Sequence, residues 1–126
     1  MAHRKKKIAI VEDETALQKV LLEWLKTEGF EAVGASTGRE AVKMIPEELP
    51  DLILLDIILP EMDGFEVMRQ LTANSRTAAI PVIVLSNLGD EENRKLAMKL
   101  GAKGFLVKAE YDLPAIKRKI QEILVS

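Results

Sequence analysis

Five residues scattered along the chain carry side chains suited to joint chemistry: the acids Glu12, Asp13 and Asp56, the hydroxyl of Ser86 and the ammonium of Lys108. Each follows a short apolar run: IAIV before Glu12 and Asp13, LILL before Asp56, VIVL before Ser86 and FLV before Lys108. Asp56 is the most demanding of the five, because a carboxylate inside an apolar run costs several kcal/mol unless it is paired, bound to a cation or at the strand's mouth. Three carboxylates held together repel one another, and an all-oxygen set suits a hard cation such as Mg²⁺, which keeps several waters and takes one or two protein carboxylates. With the charge so neutralised, one carboxylate can attack phosphorus while the metal and a lysine absorb charge on the phosphoryl oxygens. Asp56 is best placed for this, being central and flanked by apolar residues that limit water. Ser86 could then hydrogen-bond the attached phosphoryl group and Lys108 could pair with it as a point charge.

This chemistry requires elements that bring the five together. Short Leu-rich or β-branched runs alternate with amphipathic stretches, the pattern of βαβ units around a parallel sheet. Five strands are predicted, at Lys7–Val11, Glu31–Ala35, Leu52–Asp56, Val82–Ser86 and Gly104–Val107, with five helices between and after them. The first, third and fourth are apolar almost without alternation, as strands covered on both faces are. In such a sheet ligands bind beyond the carboxyl ends of the strands, where all five candidate residues fall. Helix starts are expected where an acceptor side chain precedes Glu or Gln by three: Thr15 with Gln18, Thr37 with Glu40 and Asp63 with Glu66. Asp112 is expected to cap the last helix, with Pro114 in its first turn and Ile116, Ile120, Ile123 and Leu124 facing inward. Leu17, Val20, Leu21, Trp24 and Leu25 form the apolar stripe of the first helix, and Gly29 its stop. Met98 and Leu100 are expected in the core, and Gly34, Gly38, Gly101 and Gly104 at turns or caps.

Composition bounds the function. A chain of 126 residues, 48% hydrophobic and with net charge −2, fits one domain and argues against a general nucleic-acid binder. The absence of cysteine excludes a disulfide framework, a thiolate metal site and a thiol nucleophile. No apolar run reaches membrane-span length, and MAHRKKK lacks the apolar centre of a signal peptide, so a cytoplasmic location without membrane association is expected. Residues 1–6 read as a basic lead-in to the first strand. The elements run to Ser126, so residues 1–126 are expected to be one domain. Neither a P-loop nor a dinucleotide fingerprint is present.

In the motifs IVEDE, LLDIILPEMDG, VIVLSN and GAKGFLVKA, in this order and spacing, the whole chain resembles the receiver domain of two-component response regulators, as in single-domain chemotaxis regulators. The resemblance implies a flavodoxin-like (βα)5 three-layer sandwich with strand order 2-1-3-4-5. It also implies that Asp56 is the phosphoacceptor, that Asp13 ligates Mg²⁺ directly and Glu12 mostly through water, and that the backbone carbonyl of Ile58 completes the protein's share of the metal shell. Ser86 and Phe105 become the switch residues, Ser86 moving to the phosphoryl group and Phe105 turning inward behind it. The surface of the fourth helix, fifth strand and fifth helix would then repack for a partner.

The implied partners are a histidine kinase or phosphotransfer protein as donor and an unnamed downstream protein target. A phosphorylation-dependent homodimer is left open, and no direct nucleic-acid binding is expected. On this reading the chain is a regulatory phosphoacceptor, not an enzyme acting on other substrates. Two alternatives stand beside it: a receiver-like interaction module that works without phosphorylation, and a haloacid-dehalogenase-type phosphatase. The latter needs a second acid where Ile58 stands.

The chain departs from the family at Ala109, where proline usually follows the lysine; a cis bond there would cost about 2.5–4 kcal/mol, so a trans bond and a reshaped loop are expected. Ile58 and Leu88, at positions that tune phosphoryl lifetime in receivers, cannot orient a water by hydrogen bonding. Slow loss of the phosphoryl group is therefore expected. Ile57, Ile58, Leu59, Met62 and Leu88 could form an apolar rim, with Ile57 expected to pack downward.

Overall fold

The computed structural model describes residues 4–87, 91–108 and 112–125. Along the chain run β1 (Lys7–Val11), α1 (Thr15–Thr27), β2 (Glu31–Ala35), α2 (Gly38–Glu48) and β3 (Leu52–Asp56). They are followed by α3 (Gly64–Ala73), β4 (Val82–Ser86), α4 (Glu91–Lys99), β5 (Gly104–Val107) and α5 (Leu113–Leu124). The five strands pair in parallel in the order β2-β1-β3-β4-β5. Both the strand boundaries and the flavodoxin-like order agree with the expectation from sequence.

Because side chains alternate along a strand, the apolar runs divide between two cores. Ala9, Val11, Ile53, Leu55 and Val84 pack on one face of the sheet with Ala41 and Ile45 of α2, Val67 and Leu71 of α3, and Ala97 of α4. Ile8, Ile10, Leu52, Leu54, Ile83 and Leu85 pack on the other with Leu21 and Leu25 of α1 and Ile116 and Ile120 of α5. All ten residues of β3 and β4 are buried, including Asp56 and Ser86 at their ends. Burying an apolar side chain of this size contributes about 1.5–3 kcal/mol, so the strands just behind the polar ends are the best-anchored parts of the chain.

The helix termini carry out most of their predicted roles. Thr37, Asp63 and Asp112 accept hydrogen bonds from the amides of Glu40, Glu66 and Ala115 at 3.0, 2.9 and 2.9 Å. At the end of α1, Phe30 N–H bonds to Leu25 O at 3.0 Å and Gly29 N–H to Lys26 O at 3.2 Å, with Gly29 at φ 94°. This Schellman arrangement recurs after α4 around Gly101, at φ 104°.

Four expectations are corrected. Glu14, not Thr15, is the N-cap of α1 and makes no side-chain cap, and Gln18 turns away from the helix start toward the sheet. Val20 and Met98 are exposed at 52% and 41%; Leu22 joins the α1 stripe in Val20's place. Gly34 lies within β2.

Candidate functional site

The carboxyl ends of β1, β3, β4 and β5 deliver the five expected residues to one edge of the sheet. Strand pairing sets their depth: Asp56 is in register with Leu85, which precedes Ser86, and Ser86 is in register with Val107, which precedes Lys108. The Lys108 amide continues this ladder to Ser86 O at 2.7 Å. From that anchor the Lys108 ammonium reaches back across the site to Asp56 Oδ2 at 2.9 Å and to Glu12 Oε1. Asp56 and Glu12 are 6% and 3% exposed, so both carboxylates are buried and depend on that partner.

The remaining lone pairs are served by backbone. Asp56 Oδ1 accepts from Ile58 N–H at 3.3 Å, and Glu12 Oε2 from Glu14 N–H at 3.0 Å. Burial pushes the Glu12 carboxyl above its ordinary range, and the bonds from Lys108 and Glu14 offset only part of that rise. Burial alone would push Lys108 down; its bonds with Glu12 and Asp56 outweigh it and hold the ammonium above its ordinary value. Lys108 is thus charged at neutral pH.

Glu12, Asp13 and Asp56 each place a carboxylate oxygen within 4.8 Å of the others. Asp13 is the exposed member, and its side chain makes no hydrogen bond or ion pair among the described residues. Three carboxylates against one ammonium leave two negative charges, and the donors are all oxygen, so the set fits a divalent hard cation such as Mg²⁺. Ser86 is fully buried. Phe105, in register with Val84, is partly buried against the core shared with α3 and α4.

The loop after β3, residues 57–63, is shaped by two glycines whose backbone it closely approaches. Gly64 N–H bonds to Ile57 O at 2.7 Å, and a Cβ on Gly64 would lie 2.4 Å from Asp56 O. A Cβ on Gly38 would lie 2.0 Å from Met62 O. Both positions therefore require glycine for close approach of backbone. Glu61 adopts φ 69° in this loop and its carboxylate meets Arg39 at 3.2 Å. The sequence marked Gly64 as part of a turn, but nothing local reveals that its neighbour is the backbone of Asp56.

The apolar rim is smaller than expected. Ile57 and Leu59 are buried at 5% and 9% and Met62 packs against the same core, which leaves Ile58 exposed at 54%. Leu88 and the Lys108–Ala109 bond lie outside the described residues.

A model of the response regulator receiver domain matches residues 8–121. Among curated proteins, the phosphate regulon transcriptional regulatory protein PhoB of Rhizobium meliloti is 37% identical over 118 residues, covering 94% of this chain and 52% of that protein. The chain thus spans about half the length of such relatives. Among solved structures, the chemotaxis protein CheY4 of Vibrio cholerae superposes with TM-score 0.89 at 26% identity, covering 96% of this chain and all of that one. The receiver domain of a sensor histidine kinase from Pseudomonas aeruginosa superposes at 0.88 with 25% identity, covering 98% of this chain and all of its own; that structure has a magnesium ion coordinated in the active site cleft.

Proposed function

The chain belongs to the response regulator receiver domains of two-component signalling, and from that premise we propose that it is a phosphorylation-driven switch with Asp56 as the acceptor. The observation that carries this reading is the pairing of buried Asp56 with Lys108 beside two further carboxylates. One Asp56 oxygen forms a bond to the donor's phosphorus as the bond between phosphorus and the donor nitrogen breaks. The donor imidazole leaves with that electron pair, while the acceptor becomes an acyl phosphate. Glu12, Asp13, Asp56 and the Ile58 carbonyl would hold Mg²⁺, which supplies charge neutralisation at the phosphoryl oxygens. Lys108 follows the new negative charge from Asp56 to the phosphoryl group. Ser86 donates its hydroxyl to the same group, and Phe105 closes behind it, altering the α4-β5-α5 face for a protein target.

The donor is a histidine kinase or phosphotransfer protein, and the domain acts in the cytoplasm as a regulatory acceptor, without turnover of other substrates. Dimerisation on phosphorylation and the downstream target belong to the same proposal. Incubation with a small phosphodonor and Mg²⁺, read by intact mass, should give one phosphoryl adduct that Asp56→Asn abolishes. No adduct on a folded chain would favour an interaction module that works without phosphate, and continuous release of phosphate from unrelated esters would favour a phosphatase.

The exposed Ile58 side chain beside the acceptor offers water no hydrogen bond, so the adduct should be lost slowly. Replacement of Ile58 by Asn should shorten its lifetime severalfold. Rapid loss from the unaltered chain, unchanged by that replacement, would remove this part of the proposal.

A further inference from the structure

Asp13 is the most exposed of the three acids and makes no side-chain bond among the described residues, yet it keeps an oxygen within 4.8 Å of Glu12 and Asp56. Its place must be set through the backbone on either side. On the carboxyl side, Glu14 N–H is tied to Glu12 Oε2 at 3.0 Å. On the amino side, Glu12 N–H bonds to Ala35 O at 3.0 Å. The Glu12 carbonyl, which belongs to the peptide leading into Asp13, accepts from the side chain of Gln18 at 2.8 Å.

Gln18 does more than bond one carbonyl. Its Nε2 also lies 3.0 Å from Ala35 O and 3.2 Å from Ser36 Oγ, so its two N–H donors are shared among three acceptors on two strand ends. Gln18 thereby links the chain leaving β1 to the chain leaving β2. The room it occupies exists because residue 34 is glycine: a Cβ there would lie 2.8 Å from Gln18 Oε1 and 3.0 Å from Cδ. This pairing of a polar side chain with a strand glycine gives Gln18 an orientation that helix capping does not require.

We propose that Gln18 is a positioning residue for the cation site: it fixes the peptide between Glu12 and Asp13, and through it the exposed Asp13 carboxylate, without touching metal or phosphoryl group. The inference rests on the Mg²⁺-dependent reading above and adds a residue to it. Outer partners that orient metal ligands are worth about 10-fold or more in affinity, and Gln18 acts one bond further out than a direct partner of a ligand side chain. The expected loss on removing it is therefore about 10-fold, at the lower end of that range.

The test is the Mg²⁺ dissociation constant of the unphosphorylated protein, measured by calorimetric titration for the unaltered chain, Gln18→Ala, Gly34→Ala and the double variant, with circular dichroism as the check of fold. Gln18→Ala should raise the constant about 10-fold. Gly34→Ala should raise it similarly, because the added methyl displaces the Gln18 amide. The double variant should be no worse than Gln18→Ala, since the two changes act on one contact. Equal affinity in the unaltered chain and in any folded single variant would overturn the role of Gln18 while leaving the Mg²⁺ site intact. Failure of the unaltered chain to bind Mg²⁺ would overturn the cation site itself, and this role with it. Either single variant suffices should the other fail to fold.

Discussion

Two loops at the same sheet edge bring acids to the site and differ in what crowds them. The turn after β1 carries Glu12 and Asp13 and is held by side chains: Gln18 on the Glu12 carbonyl and the Glu12 carboxylate on the Glu14 amide. The loop after β3 shares one such bond, from Ile58 N–H to Asp56 Oδ1, but is further held by main chain pressed against main chain at Gly38 and Gly64. A loop held by side chains can shift when one is replaced and still close. A loop held by touching backbones has no such freedom, because the obstructing atoms cannot rotate away. The difference places adjustable geometry under Glu12 and Asp13 and rigid geometry under Asp56.

The sharpest way to break this contrast is to add a methyl to the glycine that abuts each loop or its support, Gly64 for one and Gly34 for the other. Gly64→Ala should cost about 3 kcal/mol in urea denaturation, the upper part of the overpacking range, since its Cβ meets the Asp56 carbonyl and the Ile57 Cα. Gly34→Ala should cost about 1 kcal/mol, because what it meets is the end of a flexible side chain. Equal costs would abolish the distinction.

A second test concerns the residue that joins the two loops. Lys108 is paired to Glu12 of one and Asp56 of the other. Its replacement by Met should destabilise the metal-free protein by about 2 kcal/mol, less than the ~3–5 kcal/mol for a fully enclosed pair because the edge still reaches solvent. Saturating Mg²⁺ should recover much of that loss in thermal melts, as the cation replaces the missing charge. A deficit indifferent to Mg²⁺ would mean that the ammonium and the cation do not serve the same carboxylates.

The smallest effects lie at the two helix starts. Asp63 caps α3, and Asp63→Ala should cost about 1 kcal/mol, whereas Glu14 makes no side-chain cap. Glu14→Ser should therefore stabilise the protein by about 0.5 kcal/mol. A destabilised Glu14→Ser would show that the Glu14 side chain supports the acid turn in a way its hydrogen bonds do not reveal.

What could be read from the sequence follows the same division between local and distant causes. The strand ends were legible because IAIV, LILLD and VIVLS are short, apolar and bounded, and parallel strands covered on both faces leave few other readings. Thr37, Asp63 and Asp112 were legible as caps because a cap is settled within four residues. Thr15 with Gln18 has the same local form, yet the Gln18 amide finds carbonyls on two strand ends that no local pattern displays. Val20 sits at helical spacing from buried neighbours but just beyond the width of the stripe that the sheet covers. The site itself was legible as a set of strand-end residues. The closeness of Gly64 to Asp56 and of Gly38 to Met62 was not, since a glycine's necessity depends on a neighbour supplied by another segment.

Lys108 stands 96 residues from Glu12 and 52 from Asp56 along the chain. Closing loops of that length must be paid in chain entropy before the contact returns anything. On a ribosome, Asp56 emerges long before the strand that carries its counter-charge. A nascent chain can present Asp56 but cannot assemble its charge partner, so competence for phosphorylation would arise together with the docking of β5. On the function proposed above, the ammonium would make the readiness of Asp56 a report on the completeness of the sheet.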